Sequence, residues 1–451
     1  MKRTGWRSVV ISSVLLAAIA AGGESRARYG GTLRIAMSAA PTSLDPAALA
    51  TSEAGRQVAR LLYETLVGMD GHGNVTPLVA SAWVPEMSGQ RWRFQLRPGM
   101  NWHDGAQVTP ESVAGALRSA NSDWTVRAEA GSVVIENATP IPDLLADLTL
   151  PRYALARRQG DKIAGTGPFA MKEWQPGRAL LLAANEGYWG GRPFLDAVRV
   201  DMGQNERQQM ISFQLGKTDV IELSPDLVRR AQARHVESAP VELMALVFTG
   251  EPATQADADL RRAFALSLDR GSLHRILLQG EGEIAHGLLP GWLTGYEFLF
   301  SGERNLERAR LLRAAVKQAP SLTVSCEASD ALAQLVAQRL ALNAREAGVA
   351  VQVSPGASNA QARLVRLRMQ SLDARVALRE LSAVLNWPPP LIGRGSLEEL
   401  YRAEVALIES GRVLPLLYLP QAFALGPAVR NWEEDPFGAW HLEDVWLGAQ
   451  P

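Results

Sequence analysis

Apolar and polar residues alternate from Arg91 to Arg97, which puts Trp92, Phe94 and Leu96 on one face of a strand and the arginines and Gln95 on the other. Pro98-Gly99 breaks that strand. A second short apolar step, Met100 to His103, ends at Asp104-Gly105, a strong tight-turn dipeptide. Thr109-Pro110-Glu111 then supplies an N-cap, a first helical position and an early acid for a helix running to about Leu117. Pro77 to Leu117 is therefore expected as a hairpin feeding a helix. Alternation from Gly30 to Met37 predicts another strand, with Leu33, Ile35 and Met37 on one face. Between Glu53 and Leu66, Val58, Leu61, Leu62, Thr65 and Leu66 recur at helical spacing.

The second half of the chain carries the clearest unit. Leu322 to Cys326 reads as a strand, and Ser329-Asp330 caps a helix to about Ala347. In that helix Leu332, Leu335, Val336, Leu340 and Leu342 form the apolar positions. Gly348 ends it, and Val349 to Val353 is a further strand. Strand, capped helix and strand over about thirty residues make a βαβ unit, so a parallel sheet is expected. Leu243 to Phe248 is an apolar strand at which the chain changes character, a candidate domain boundary. Ala357 to Leu400 is arginine-rich and helical in pattern, interrupted at Asn386-Trp387-Pro388-Pro389-Pro390, and Glu398 to Ile408 is a last amphipathic helix.

A chain of 451 residues exceeds the usual extent of one hydrophobic core, so two or more domains are expected. The formal net charge is −1 and no basic stripe is visible, which argues against nucleic acid as a partner. Cys326, the single cysteine, has no intramolecular disulfide partner and reads as a small buried hydrophobe. The six histidines are scattered and no Cys, His or acid cluster has metal-ligand spacing, so no metal or cofactor is expected. There is no G-x-S-x-G, H-E-x-x-H or Walker pattern, and no catalytic residue is assigned. His103 beside Asp104 invites a dyad, but neighbours on a strand point to opposite faces, which leaves Asp104 as a turn former. Residues 1–27 have the build of an export signal: Lys2, Arg3 and Arg7 precede an apolar core from Val9 to Ala21, too short for the ~20 residues that span a bilayer. Cleavage after Ala20 or after Ala27 would free a periplasmic protein, and the lack of a nearby cysteine excludes lipoprotein anchoring.

Val79-Ala80-Ser81-Ala82-Trp83, Trp92 to Gly99, Trp102-His103-Asp104-Gly105 and Thr109-Pro110-Glu111-Ser112-Val113, in that order, resemble the signature of the family 5 extracytoplasmic solute-binding proteins of peptide and nickel ABC transporters. Ser112 stands where that family prefers Asp. The resemblance continues through Pro41 to Pro46, Leu61 to Val67, Gly165-Thr166-Gly167-Pro168-Phe169 with Trp174, Asn185 to Asp196, Leu215 to Val220, Asp259 to Arg270, Leu288 to Trp292 with Gly295-Tyr296, and Leu414 to Tyr418.

The resemblance implies an α/β, type II periplasmic-binding-protein-like fold: two lobes with mixed sheets joined by two hinge strands. Residues 28–244 would form lobe I, with a satellite subdomain, shortened here, at about 75–160. Residues 245–410 would form lobe II, and 411–451 would return to lobe I. The implied function is the periplasmic solute-binding component of an ABC importer, capturing a peptide-like or other small solute between closing lobes and passing it to an inner-membrane permease. A monomer is expected. The alternative on the same scaffold is a non-transporting sensor or interaction protein. Candidate ligand residues are Thr51 and Ser52 ahead of the first long helix, Trp292 and Tyr296, and Asn386 and Trp387. Peptide-binding members place an Asp a few residues after a Trp in the second lobe, where it pairs with the peptide α-ammonium. Here Trp387 is followed by Pro388-Pro389-Pro390-Leu391-Ile392, with no acid before Glu398. A buried ammonium left unpaired costs about 3–5 kcal/mol. Unmodified di- to pentapeptides are thus expected to bind weakly or not at all, and calorimetry that found micromolar affinity for them would contradict this.

Overall fold

The computed structural model describes residues 26–50, 53–160, 162–231, 233–388, 390, 396–433 and 437–449. The expected export signal up to residue 25, Thr51, Ser52, Pro389, Leu391 and Ile392 lie outside them.

Two large sheets organise the chain. The first has seven strands, built outward from Thr32–Ala36, which runs parallel to Ala197–Asp201 on one side and to Val220–Leu223 on the other. Phe169–Gln175 and Ala179–Ala184 extend it as an antiparallel hairpin on one edge, Ala422–Leu425 and Arg234–Glu237 on the opposite edge. Leu33, Ile35, Val198, Val200, Leu180 and Leu182 bury one face under the Glu53–Leu62 helix, hereafter the cleft helix, whose Val58, Ala59, Leu61 and Leu62 point inward. The second sheet has six strands, ordered Glu283–Ile284, Val413–Leu419, Glu242–Phe248, Ala362–Arg368, Leu322–Ser325 and Val351–Val353. A smaller four-stranded antiparallel sheet, Ala80–Glu86, Arg91–Leu96, Ser132–Glu136 and Thr125–Glu129, stands beside the first. Its core of Phe94, Leu96, Trp102, Val113, Leu117, Val133 and Ile135 is covered by the Pro110–Ala120 helix.

The chain crosses between the two large sheets twice: after Glu237 on the way out and after Leu419 on the way back. The crossings bond to each other. Ser238 N–H donates to Gln421 O at 2.8 Å, and Gln421 N–H donates to Ser238 Oγ at 2.9 Å. The result is a pair of adjacent extended segments joining two lobes, a construction that bends without unpairing either sheet.

Several sequence expectations hold in detail. Leu322–Ser325 and Val351–Val353 pair in parallel around the Ala331–Glu346 helix, and Asp330 Oδ1 caps that helix by accepting from Ala333 N–H at 2.9 Å. Of the apolar positions assigned to it, Leu332, Val336 and Leu340 are buried, whereas Leu335 and Leu342 are about half exposed; Ala333, Ala337 and Ala344 complete the inner face instead. The helix after Thr109 carries a full capping box, since Ser112 Oγ accepts from Thr109 N–H at 3.0 Å and Ser112 N–H donates to Thr109 Oγ1 at 3.2 Å. Serine thus does there what an acid would.

Three expectations change. Arg91–Leu96 does not fold back on Met100–His103: it lies between Ala80–Glu86 and Ser132–Glu136, and the second step contributes only a single bridge from Asn101 to Gln107. Two full strands offer a longer ladder than four residues before a turn can. Within the stretch read as helical, Ala362–Arg368 is a central strand with Ala362, Leu364 and Leu367 buried. Its A-R-L-V-R-L-R pattern fits a period of two as well as 3.6, and pairing with Glu242–Phe248 decides it. The return to the first lobe begins after Pro420, not at 411, because Val413–Leu419 is fully buried inside the second sheet between Glu242–Phe248 and Glu283–Ile284.

The end of the cleft helix is held by a loop that only glycine permits. Gly167 N–H donates to Leu62 O at 3.1 Å. A Cβ at Gly165 would sit 1.9 Å from Leu62 O, and one at Gly167 would sit 2.6 Å from Leu61 O. His103 fastens the loop from behind. Its backbone N–H donates to Gly165 O at 2.9 Å, its Nδ1 accepts from Gly165 N–H at 3.3 Å, and its Nε2–H therefore donates to Gly167 O at 3.0 Å. Burial pulls the His103 pKa down, so the neutral ring this bonding requires is the stable one. Asp104 works separately: Oδ1 accepts from Ala106 N–H at 3.0 Å, and its carboxylate pairs with Arg157. Gly165→Ala is expected to cost about 3 kcal/mol or more, because the obstructing atoms are backbone and cannot rotate away. Urea unfolding checks it, and an unchanged midpoint would show that the loop does not pack as described.

Candidate functional site

Charged positions on the cleft helix and its C-terminal extension, Arg56, Arg60 and Glu64, fall on the side turned away from the first sheet. They face a cavity of about 290 Å³ at the junction of the two lobes. Its other walls come from far along the chain. The turn from Gly68 to Gly71 and Thr149 belong to the first lobe, Arg368 to Ser371 extends the central strand of the second, and Phe437 with Ala439, Trp440, His441 and Glu443 closes the side.

Gln57 ties these walls together. Its Nε2 donates to Gly438 O at 2.6 Å and to Gln421 Oε1 at 3.2 Å, while its Oε1 accepts from Trp440 N–H at 2.9 Å. Arg368 Nη1 donates to the same Gln421 Oε1 at 2.6 Å. The cleft helix, the C-terminal wall, the returning crossover and the second lobe thus meet through one glutamine pair.

Glu64 is the most perturbed acid on the cavity. Burial pushes its pKa up to about 7, partly opposed by hydrogen bonds and reinforced by the charge of Glu443. Oε1 accepts from Trp189 Nε1–H at 2.7 Å and from Tyr188 O–H at 3.0 Å. Oε2 is buried without a hydrogen-bond partner among the described residues, beside a Thr166 hydroxyl in the same state. Tyr188 and Trp189 come from the Asn185–Asp196 motif, Thr166 from the glycine loop and Glu64 from Leu61–Val67, so three of the sequence motifs converge on one carboxyl. Arg97 caps the assembly, its guanidinium 4.0 Å from the centre of the Trp189 ring.

The second lobe reaches the first through the Ala374–Val384 helix, hereafter the bridging helix. Ala377, Leu378 and Leu381 bury into the second lobe, whereas Val376 packs into the core of the smaller sheet. Arg375 pairs with Asp143 at 2.9 Å, Arg379 with Asp147, and Glu380 Oε1 accepts from Arg152 Nη2 at 2.9 Å. Asp373 caps the helix by accepting from Arg375 N–H at 3.0 Å.

None of the four sequence-assigned candidates among the described residues lines this cavity. Tyr296 is 7% exposed and donates its hydroxyl to Glu404 Oε2 at 2.8 Å, against Phe300 and Tyr401. Trp387 is buried in the second-lobe core with the Arg412 guanidinium 5.2 Å from its ring centre. Trp292 is 42% exposed on the Gly291–Thr294 turn, and Asn386 is exposed with φ +52° at the end of the bridging helix. Thr51 and Ser52 immediately precede the cleft helix but are outside the described residues. Arg56 and Arg60 escaped notice because a polar helix face ordinarily means solvent. Glu64 was visible within Leu61–Val67, and an acid following three apolar residues was its only signal.

A carboxyl whose folded pKa lies above its unfolded value contributes full stability below the unfolded pKa of ~4.3 and loses it as pH rises through about 7. Stability is therefore expected to fall between pH 5 and 7.5. Glu64→Gln should flatten that slope by on the order of 1–3 kcal/mol, measured by urea unfolding at both pH values; an equal slope in the variant would show that Glu64 is not held in this way.

Comparison with known proteins follows the same lines. The family model for bacterial extracellular solute-binding proteins, family 5, matches residues 74–394. Di/tripeptide-binding protein 2 of Pseudomonas aeruginosa (strain UCBPP-PA14) is 25% identical over 342 residues, which is 64% of this chain and 64% of that protein. That relative and two of comparable similarity are matched over only 58% to 64% of their lengths. Among solved structures, the oligopeptide-binding protein AppA of Bacillus subtilis, in complex with a nonapeptide, superposes with a TM-score of 0.79 at 16% identity, covering 94% of this chain and 100% of that one. The murein tripeptide binding protein MppA of Escherichia coli gives 0.79 at 18% identity, covering 92% and 98%. At such identities the superpositions speak for the fold, and the family match over most of the chain carries the assignment: this chain belongs to the bacterial extracellular solute-binding proteins, family 5.

Proposed function

We propose that this chain is the solute-capturing component of an ABC importer, taking a peptide-like or other small solute between its lobes outside the cytoplasmic membrane and presenting the closed form to a membrane permease. The observation that carries the reading is the cavity itself. It is assembled from both lobes, it sits beside the paired crossovers, and its second-lobe wall leads into a bridging helix whose charges are complementary to the first lobe. A hinge that bends, a cavity present only when the lobes meet, and a latch of ion pairs are the parts that turn occupancy into a shape a partner can read. Family membership supports the same reading, as do relatives and neighbours named for dipeptides, oligopeptides and nickel. Residues 1–27, read as an export signal with an apolar core from Val9 to Ala21, agree with action outside the cytoplasmic membrane. On this reading Tyr296 and Trp387 shape the second lobe, and Thr51 and Ser52 precede the cleft helix in the sequence.

Native mass spectrometry of protein isolated from periplasm is expected to show a discrete mass excess of a few hundred daltons or less that disappears on unfolding. Protein that carries no such mass, and whose small-angle scattering radius is unchanged by periplasmic extract, would reject solute capture.

A further inference from the structure

The charges around the interlobe cavity are unequal in how they are satisfied. Each of its carboxylates already has a partner. Glu64 accepts from Trp189 and Tyr188, Asp70 accepts from the His72 and Asn74 backbone N–H groups at 2.9 Å each, and Glu443 lies 3.6 Å from His441. Arg56 of the cleft helix is different. It gives one hydrogen bond, from Nη1 to Ala50 O at 3.2 Å, and has no carboxylate partner among the described residues. The acid whose field reaches it, Glu242, is taken by Arg366 Nε at 2.7 Å. Arg60, one turn further on the same face, shares the cavity with Glu443, whose charge it helps to stabilise and which also engages His441.

A guanidinium offers five N–H donors in a fixed fork suited to a carboxylate or phosphate. Burial holds Arg56 down at about 10, so it remains charged at neutral pH while lacking the counterion that burial ordinarily demands. Arg34, Arg91, Arg152, Arg366 and Arg379 are each locked to an acid, and the buried Arg270, outside the cavity, spends its donors on the Pro415 and Gly302 carbonyls; Arg56 differs from both in facing the cavity. The volume adds a second limit, because about 290 Å³ lies at the bottom of the ~300–1,000 Å³ range of small-molecule sites.

We infer that the interlobe cavity takes a small solute bearing a carboxylate or phosphate, and that Arg56, with Arg60 beside it, receives that anionic group. This rests on the solute-capture reading and narrows it to a chemical class. The solute enters with the charge that the cavity lacks, so closing the lobes over it removes an unpaired cation. A neutral solute of equal size would leave that cation enclosed.

The test uses the full chain, unfolded and refolded to strip bound solute, in a thermal-shift screen of matched probes: succinate, glutarate, N-acetylglutamate and glucose 6-phosphate against succinamide, glutaramide, cadaverine and glucose. At least one acid or phosphate is expected to raise the melting temperature while its neutral or cationic counterpart does not. Calorimetry with that probe should show binding weakened roughly 10- to 100-fold in Arg56→Gln, the loss of a hydrogen-bonded charge, less in Arg60→Gln, and partly kept in Arg56→Lys. Unliganded melting and circular dichroism of the variants report whether they fold. Stabilisation by neutral or cationic probes alone, or acid binding that survives undiminished in a folded Arg56→Gln, overturns the inference. The source of the anion is separated by whether carboxylates or the sugar phosphate bind. If no probe binds, the solute recovered from native protein decides: a neutral or basic one overturns this inference and leaves solute capture standing, an acidic one upholds it, and none at all removes the capture reading itself.

Discussion

The end of the cleft helix lies so close to the Gly165-Thr166-Gly167 loop that no side chain fits between them. Everything at the site follows from that approach. Leu61 and Leu62 carbonyls occupy the space where Cβ atoms would stand, and one of them accepts from the loop. The neutral His103 holds the loop in place from the far side through a backbone bond and both ring nitrogens. With the helix end fixed, Glu64 is fixed too, under Tyr188 and Trp189 and next to Thr166. The residues of the family signature are therefore a scaffold that sets the orientation of one helix, and that helix presents Arg56, Arg60 and Glu64 to the interlobe space.

Scaffold and response are divided between different interactions. Contacts inside each lobe are apolar and continuous, with Val413–Leu419 buried along its whole length in the second sheet. Contacts between the lobes are sparse and polar: the Gln57–Gln421 pair, the bonded crossovers, and ion pairs of the bridging helix with Asp143, Asp147 and Arg152. These ion pairs are part-buried, with the carboxyls of Asp147 and Glu380 largely covered and the arginines about one-third exposed, so salt screens them only in part. The junction between the lobes is thus polar where the interior of each lobe is apolar. Val376, inserted into the smaller sheet's core, adds an apolar element to that junction.

Much of this was readable from the residues alone. The βαβ unit around Asp330, the capped helix after Thr109 and the first strand were visible because local chemistry and periodicity agreed in each. Where two periods fit equally, as in Ala362–Arg368, the sequence could not choose, and pairing partners did. The aromatic residues assigned to the ligand were picked by type. Tyr296 and Trp387 look the same in a sequence whether they stack on a solute or fill a core, and the acid that engages Tyr296, Glu404, lies 108 positions away.

What the sequence determined by itself is the framework: family signature, helix caps, turn glycines and the run of strands, all of which act over a few residues. The tertiary structure alone decided which charges are paired. Whether an arginine is spent on an acid depends on residues brought from remote parts of the chain, and pairing cancels a charge only at hydrogen-bond distance. Arg366 and Arg56 are equivalent letters in the sequence, and only the fold gives Glu242 to the first and leaves the second facing the cavity.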